Sequence, residues 1–178
     1  MSKLSDICIR PAMWNDSTEL RRLYNDIIDA MDASPWHAQW RKDGYPTDDD
    51  LRQATQRGEL FVCVIEGSIA GAMILNHQFN EGYRAAAWQI ECADSEILCV
   101  HTLGVSPRFQ RQGVAGTMIR YAINHARKLH CKCLRLDVID TNPPADLLYT
   151  SQSFRFIETR KLHYDSVCAN FNLYEYLL

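Results

Sequence analysis

One stretch of the chain joins an apolar strand to a glycine-containing loop and the start of a helix, a combination that binds anions. The strand over residues 98–105 is stopped by Pro107, and the loop Gln110-Arg-Gln-Gly-Val-Ala115 then opens a helix. Amides at a helix N-terminus have no partner inside the helix, and the helix dipole favours negative charge there. Gly113 lets the backbone approach a phosphate without an intervening side chain. The pattern predicts a pyrophosphate site.

Two familiar phosphate loops are excluded by spacing. The chain contains neither GxxxxGK followed by Ser or Thr nor the fingerprint GxGxxG, which nucleotide P-loops and dinucleotide-binding folds respectively require. Taken alone, the loop also fits a solvated surface turn that carries Arg108 and Arg111. The residues of this stretch leave both interpretations open.

The loop resembles motif A of the GNAT superfamily, the Gcn5-related N-acetyltransferases, whose pattern is Q/R-x-x-G-x-G/A. Here the pattern is Gln110-x-x-Gly113-x-Ala115. Further along, Asn142-x-x-Ala145-x-x-Leu148-Tyr149 resembles the superfamily's following motif, and the predicted order of elements matches over nearly the whole chain. One departure is Ser153-Phe154, where family members usually carry Gly-Phe; this change concerns a turn rather than catalysis.

The resemblance implies acetyl-CoA (coenzyme A) as cofactor, held in a V-shaped gap where the fourth and fifth strands splay apart. Those strands are here about Ile97–Val105 and Leu134–Ile139. The pantetheine arm would pair with the backbone around Gly104, at Leu103 and Val105, while Asn142 would bond the cofactor's amide arm. The pyrophosphate would be held by the amides of Gln110, Arg111, Gln112, Gly113, Val114, Ala115 and Gly116.

The resemblance also implies catalytic roles. Tyr149 matches the family tyrosine that protonates the leaving thiolate, a step that needs a positioned proton donor. His101 is the first candidate for general base, since it resembles a histidine of arylalkylamine acetyltransferases and has an ordinary pKa of about 6.5. Glu96 and Glu91 are reserve bases. The structural alternatives are a packing tyrosine, a histidine bonded within the sheet, and two solvated carboxylates.

The acceptor is expected to meet aromatic side chains. The loop from Ser34 to Pro46 carries Trp36, His37, Trp40 and Tyr45, with Trp88 on a neighbouring predicted strand. An aromatic pocket suits an amine or an apolar group, although a loop packed around one buried tryptophan fits as well. The leading hypothesis is acetyl transfer to a small-molecule primary amine by direct attack. A peptide or protein amine stays open, as does a module that holds acyl-CoA without turnover.

The elements that must position these residues alternate between strands and helices. Hydrophobic periodicity predicts the order β-α-α-β-β-β-β-α-β-α-β-β, with one strand over Tyr83–Ile90 and closing strands over Phe154–Tyr164 and Phe171–Leu177. This order predicts an α/β fold in a single domain over residues 1–178: a GNAT-like mixed sheet with splayed fourth and fifth strands, flanked by helices.

Composition limits the partners. The chain has 178 residues, 47% hydrophobic and 23% charged, which is typical of one globular domain. A net charge of −3 argues against nucleic acid as a partner. The stretch Met1 to Arg10 lacks the apolar core of a signal peptide, and no run approaches the ~18 apolar residues of a membrane span. We therefore expect a cytoplasmic protein.

Seven cysteines do not form a metal-binding pattern. The nearest approach is His130-Cys131-Lys132-Cys133, which has no second pair at zinc-site spacing. We expect no metal and reduced thiols. A homodimer is common among similar proteins, and the apolar strand Phe171–Leu177 could help to form one by analogy with the fold.

Overall fold

A computed structural model describes residues 7–164 and 167–178, and within them one seven-stranded mixed sheet is flanked by four α-helices. The first six residues, part of the stretch where the sequence predicts no signal peptide, lie outside the described residues. The sheet order is β1-β2-β3-β4-β5-β7-β6. The strands are β1 Cys8–Pro11, β2 Leu60–Ile65, β3 Ser68–Asn76, β4 Ile97–Val105, β5 Cys133–Ile139, β6 Arg155–Tyr164 and β7 Val167–Leu177; the helices are α1 Ser17–Asp32, α2 Asp48–Gln56, α3 Val114–Lys128 and α4 Pro143–Ser151.

The two central strands, β4 and β5, run parallel and then part. Their pairing covers only Ile97 with Cys133, Leu98 with Leu134, and Cys99 with Arg135. Beyond Cys99, β4 continues beside β3 while β5 continues beside β7. The predicted splay of the fourth and fifth strands is thereby confirmed, and it leaves a V-shaped opening in the middle of the sheet.

A β-bulge helps β4 to turn away from β5. The register with β3 shifts between His101 and Gly104, and Thr102 adopts a positive φ of 51°. An extra residue in one strand bends that strand and increases its twist. The bulge is held from the helical side, because the buried hydroxyl of Tyr24 on α1 donates a hydrogen bond of 2.9 Å to the Thr102 carbonyl.

Alternate side chains of β4 point to opposite faces of the sheet. Leu98 and Val100 belong to the core cluster that includes α3 and Tyr149, whereas Ile97 and Cys99 belong to the cluster on the opposite face. His101 pairs with Ile74, which packs against α1 and α2. One face is therefore covered by α3 and α4, and the other by α1, α2 and the segment over residues 79–92.

The predicted strand over Tyr83–Ile90 is wrong. Residues Glu81–Ala85 form a 3₁₀ turn and the rest is irregular. Its aromatic residues pack flat on the sheet instead of extending it: Tyr83 stacks on Phe79, and the indole of Trp88 donates a 2.7 Å hydrogen bond to the Tyr83 carbonyl. Alternating apolar residues that lie on a sheet face give the same sequence pattern as a strand.

The last strand, β7, lies inside the sheet. It pairs with β5 on one side and with β6 on the other. Both backbone edges of β7 are therefore occupied within the sheet, and the outermost strands are β1 and β6. Among the described residues, no helix combines the length and the apolarity needed to cross a bilayer.

Candidate active site

A cavity of about 950 Å³ fills the opening between β4 and β5. Its walls come from the parted ends of both strands, the start of α4, the connection between α1 and α2, and the strands β6 and β7. The cavity-lining residues include half of the predicted catalytic and cofactor-binding residues: His101, Leu103, Gly104, Val105, Gln110, Asn142 and Tyr149. The loop residues 111–116 lie outside this lining.

The edge of β4 over residues 100–105 has backbone groups without a strand partner on the β5 side. An extended ligand with amide groups can pair with such an edge as an added strand does. The hydroxyl of Thr102, on the same stretch, is buried without a hydrogen-bond partner among the described residues. Asn142 occupies the N-cap position of α4, but its side chain makes no capping bond. These groups fit the pantetheine arm of coenzyme A.

The loop before α3 has the geometry of an anion site. Gly113 is the N-cap with a φ of 83°, and a Cβ placed there would meet no atom within 4 Å. Hydrogen bonding of the helix begins where the Thr117 amide donates to the Gly113 carbonyl at 3.0 Å, so the amides of Val114, Ala115 and Gly116 precede the first intrahelical bond. Arg111 and Gln112 are exposed beside them.

Tyr149 lies on the α4 side of the opening. Its ring packs against Phe154 and Tyr174, at centroid distances of 5.7 and 6.2 Å. Among the described residues its hydroxyl has no hydrogen-bond partner recorded, and it lines the cavity. Burial, and to a smaller degree the charge of Asp137, raises the pKa of Tyr149 well above its usual value. The phenol therefore keeps its proton at neutral pH, as a general acid must.

His101 lies on the opposite face, where its tautomer is set by its neighbours. Nε2 lies 3.0 Å from the Asn76 side-chain oxygen and 2.9 Å from the Gln78 carbonyl. The Asn76 oxygen is identified because it also accepts from the Gln78 amide, while its Nδ2 donates to Glu59. With two acceptors, Nε2 must carry the proton, which leaves the lone pair on Nδ1. Burial lowers the pKa of His101, so the ring is neutral near pH 7.

Asp137 on β5 is a site residue that sequence reasoning missed. Its Oδ2 accepts hydrogen bonds from the hydroxyls of Tyr83, at 2.7 Å, and Tyr164, at 2.5 Å. Burial raises its pKa, against the opposing effects of the two tyrosine bonds and of His101. The sequence did not indicate a functional role for Asp137, because the pattern around it is that of an ordinary buried strand. The residue lies three positions before the start of the Asp140-Thr-Asn142 turn.

The reserve bases lie away from the cavity. Glu96 is at the beginning of β4, where its carboxylate accepts from the Ala93 amide and pairs with Lys132 at 2.9 Å. These partners lower the pKa of Glu96. Glu91 is an exposed residue of the irregular segment. Neither carboxylate is among the cavity-lining groups.

The aromatic connection between α1 and α2 forms part of the cavity wall. Trp36, Trp40 and Tyr45 line it, and Trp40 packs edge-on against Tyr24 with ring centroids 5.7 Å apart. His37 does not line it; its backbone exchanges hydrogen bonds with Thr141 at 3.0 and 3.4 Å, which docks the connection onto the end of β5. Trp88 also lies elsewhere, stacked against the Arg135 guanidinium at 4.3 Å.

Comparison with known proteins identifies the family of this chain. Residues 20–154 match the family model described as "Acetyltransferase (GNAT) family". The chain belongs to the GNAT family. The resemblance read from the two motifs is thereby confirmed, and the family is one of acetyltransferases.

Several relatives show how far the likeness extends. N-alpha-acetyltransferase 60 of Xenopus tropicalis is 28% identical over 166 residues, which are 86% of this GNAT chain and 62% of the relative; the chain thus spans less than two thirds of that protein. A GNAT acetyltransferase from Streptococcus agalactiae superposes with a TM-score of 0.82 at 20% identity, covering 98% of this chain and 96% of its own. Arabidopsis thaliana NAA60, solved in complex with acetyl-CoA, gives a TM-score of 0.72 at 18% identity, covering 97% and 100%.

Proposed function

We propose that the protein transfers an acetyl group from acetyl-CoA to a primary amine by direct attack. The observation that carries this proposal is the pair of faces at the opening between β4 and β5. Tyr149, a buried proton donor, lies on one face, and His101 lies on the other with Asp137. A reaction that must remove a proton from the nucleophile and give one to the leaving group needs this separation of acid and base.

The β4 edge over residues 100–105 receives the pantetheine arm, Asn142 bonds to its amides, and the amides over residues 110–116 hold the pyrophosphate. The unpaired edge, the uncommitted Asn142 side chain and the open N-cap at Gly113 support this placement. When bound, acetyl-CoA supplies the acetyl group on a thiol that can leave. The protein's own residues move the protons.

His101 acts as the base through Nδ1. An N–H bond of the acceptor ammonium breaks, its electron pair stays on nitrogen, and the proton joins Nδ1. The nitrogen then forms a bond to the acetyl carbon, and it loses a second proton to solvent as the carbon–sulfur bond breaks. Nδ1 finally returns its own proton to solvent. The carboxylate of Asp137 stabilises the imidazolium that results, since its charge raises the pKa of His101. Tyr149 gives its hydroxyl proton to the departing sulfur and regains a proton from solvent.

We propose a compact amine as the acceptor, because the α1–α2 connection docks onto Thr141 and encloses the acceptor side of the cavity. A second candidate is the α-amine of a protein, which the name of the Xenopus relative favours. In a peptide acceptor the chain beyond the amine must leave the cavity past the same connection.

The experiment is thiol release from acetyl-CoA with five acceptor groups: polyamines, amino acids, aminoglycosides, arylalkylamines and peptides. We expect release in step with formation of the N-acetyl product by mass spectrometry, fastest with a compact amine. Faster release with peptides would select the second candidate. Tight binding of acetyl-CoA without thiol release across the whole panel would overturn the proposal and identify a non-catalytic acyl-CoA-binding module.

A further inference from the structure

Only one of the two carboxyl oxygens of Asp137 accepts a hydrogen bond from the described residues. Both tyrosine hydroxyls bond to Oδ2, and Oδ1 has no recorded hydrogen bond in the described part of the chain. Oδ1 is also not fully buried. Since Asp137 lines the cavity, this oxygen faces cavity space and is open to a ligand.

No described cation neutralises Asp137. The arginine of the cavity wall, Arg41, pairs with Asp43 through two bonds of 3.1 and 3.3 Å at the exposed rim. The neutral ring of His101 does not supply a full charge. A buried carboxylate without a cationic partner is costly, and this cost is what raises the pKa of Asp137. A cationic ligand at Oδ1 would remove much of that cost.

Aromatic rings line the same cavity as the open oxygen. The rings of Tyr164 and Phe171 pack edge to face with centroids 5.4 Å apart, and both line the cavity together with Tyr45. Burial and, more weakly, the charge of Asp137 raise the pKa of Tyr45. Ring faces attract an ammonium group through the quadrupole. We call Asp137, Tyr45, Tyr164 and Phe171 the acceptor box. It lies on the His101 face of the sheet, opposite Tyr149.

The remaining charges of the wall discriminate among amines. Asp43 and Asp50 line the cavity together with Asp137, against the single arginine Arg41, among the described residues. A second anion on the ligand would therefore be repelled, while an apolar or cationic body would be accepted.

We propose that Asp137 binds the acceptor as its ammonium ion, so that the enzyme selects aliphatic primary amines that carry no carboxylate. This inference rests on the proposed function and adds the class of substrate. Asp137 recognises the charged nitrogen and holds it beside His101, which takes the proton.

Four molecules of matched shape test the proposal: phenethylamine, 2-phenylethanol, phenylalanine and phenylalanine amide. The first carries only the cation, the second is its neutral analogue, the third adds a carboxylate, and the fourth masks that carboxylate as a peptide does. We expect phenethylamine to bind about 10- to 100-fold more tightly than 2-phenylethanol, the range for a charged hydrogen bond. Phenylalanine should bind weakly, and its amide should recover most of the loss.

Asp137→Asn keeps the shape of the box and removes its charge. The KM for phenethylamine should rise about 10- to 100-fold, with unchanged affinity for acetyl-CoA, and the preference over 2-phenylethanol in a direct binding assay should disappear. If this variant does not fold, the four-molecule comparison in the wild type decides alone. Tyr164→Phe, which removes one of the two tyrosine hydrogen bonds to Asp137, should raise the same KM by a smaller factor.

Equal affinity for phenethylamine and 2-phenylethanol would overturn the proposal, as would a KM that the Asp137 substitution leaves unchanged. Turnover of phenylalanine as fast as of phenethylamine would do the same while leaving acetyl transfer intact. Failure of acetyl transfer itself would appear differently, as the absence of thiol release with every amine.

Discussion

Replacing Tyr149 by Phe removes one oxygen from the cavity wall and leaves the aromatic packing in place. The ring would keep its contacts with Phe154 and Tyr174. Since the described residues include no recorded hydrogen-bond partner for the hydroxyl, no buried group loses its partner when the oxygen is removed. We therefore expect the melting temperature and the affinity for acetyl-CoA to match those of the wild type.

The rate of the chemical step should fall. A positioned general acid contributes about 10²- to 10⁴-fold, which corresponds to roughly 3 to 5.5 kcal/mol of barrier at 1.36 kcal/mol per tenfold. Because burial raises the pKa of Tyr149 above its usual value of 10, the wild-type rate should show no loss of the acid between about pH 8 and 10.

Single-turnover quench experiments measure this step without interference from product release. Enzyme in excess over acetyl-CoA is mixed with a saturating amine, and the N-acetyl product is quantified over time. Tyr121→Phe is the matched control, since Tyr121 is a partly buried tyrosine on α3 that packs against Phe61 at 5.5 Å, away from the cavity. A Tyr149→Phe rate within twofold of the wild type would refute the role of this residue.

The remaining predictions concern the cofactor loop, the base and the sheet. Gly113→Val should weaken acetyl-CoA binding at least about tenfold, measured by calorimetry, whereas Gly58→Val should not; both glycines have positive φ and open space around Cβ, so both variants carry a similar strain of about 1–2 kcal/mol. His101→Ala should lower kcat about 10²-fold or more. The acidic limb of the wild-type pH–rate profile should lie below pH 6.5, because burial lowers the pKa of His101 and the base works deprotonated. An acidic limb above pH 6.5 would contradict this assignment. Arg135→Ala should cost about 3–5 kcal/mol in urea unfolding, because it leaves the fully buried Glu175 without its 2.9 Å partner, while Arg84→Ala at an exposed pair should change little.

The cofactor half of the site follows from local sequence. A strand, a proline stop and a glycine N-cap are consecutive, so an anion loop around Gln110 and Gly113 could be predicted from local sequence, whereas the role of Asn142 came only from the family resemblance. The splay itself is visible only through the family resemblance, because no local pattern shows that β4 and β5 stop pairing after Cys99.

The acceptor half depends on contacts between distant residues. Asp137 meets Tyr83 across 54 positions and Tyr164 across 27, and neither tyrosine stood out in the sequence. The same fold explains the wrong strand at Tyr83–Ile90, because a segment lying flat on a sheet repeats apolar residues as a strand does. The cytoplasmic location and the homodimer stay predictions.

The central claim is that acetyl-CoA enters where β4 and β5 part, and hydrogen–deuterium exchange tests it most directly. We predict that saturating acetyl-CoA slows exchange of the amides over residues 100–105 and 110–117, while peptides from β2, Leu60–Ile65, exchange as before. Unchanged exchange over both stretches at a saturating concentration, or protection confined to other parts of the chain, would contradict the account.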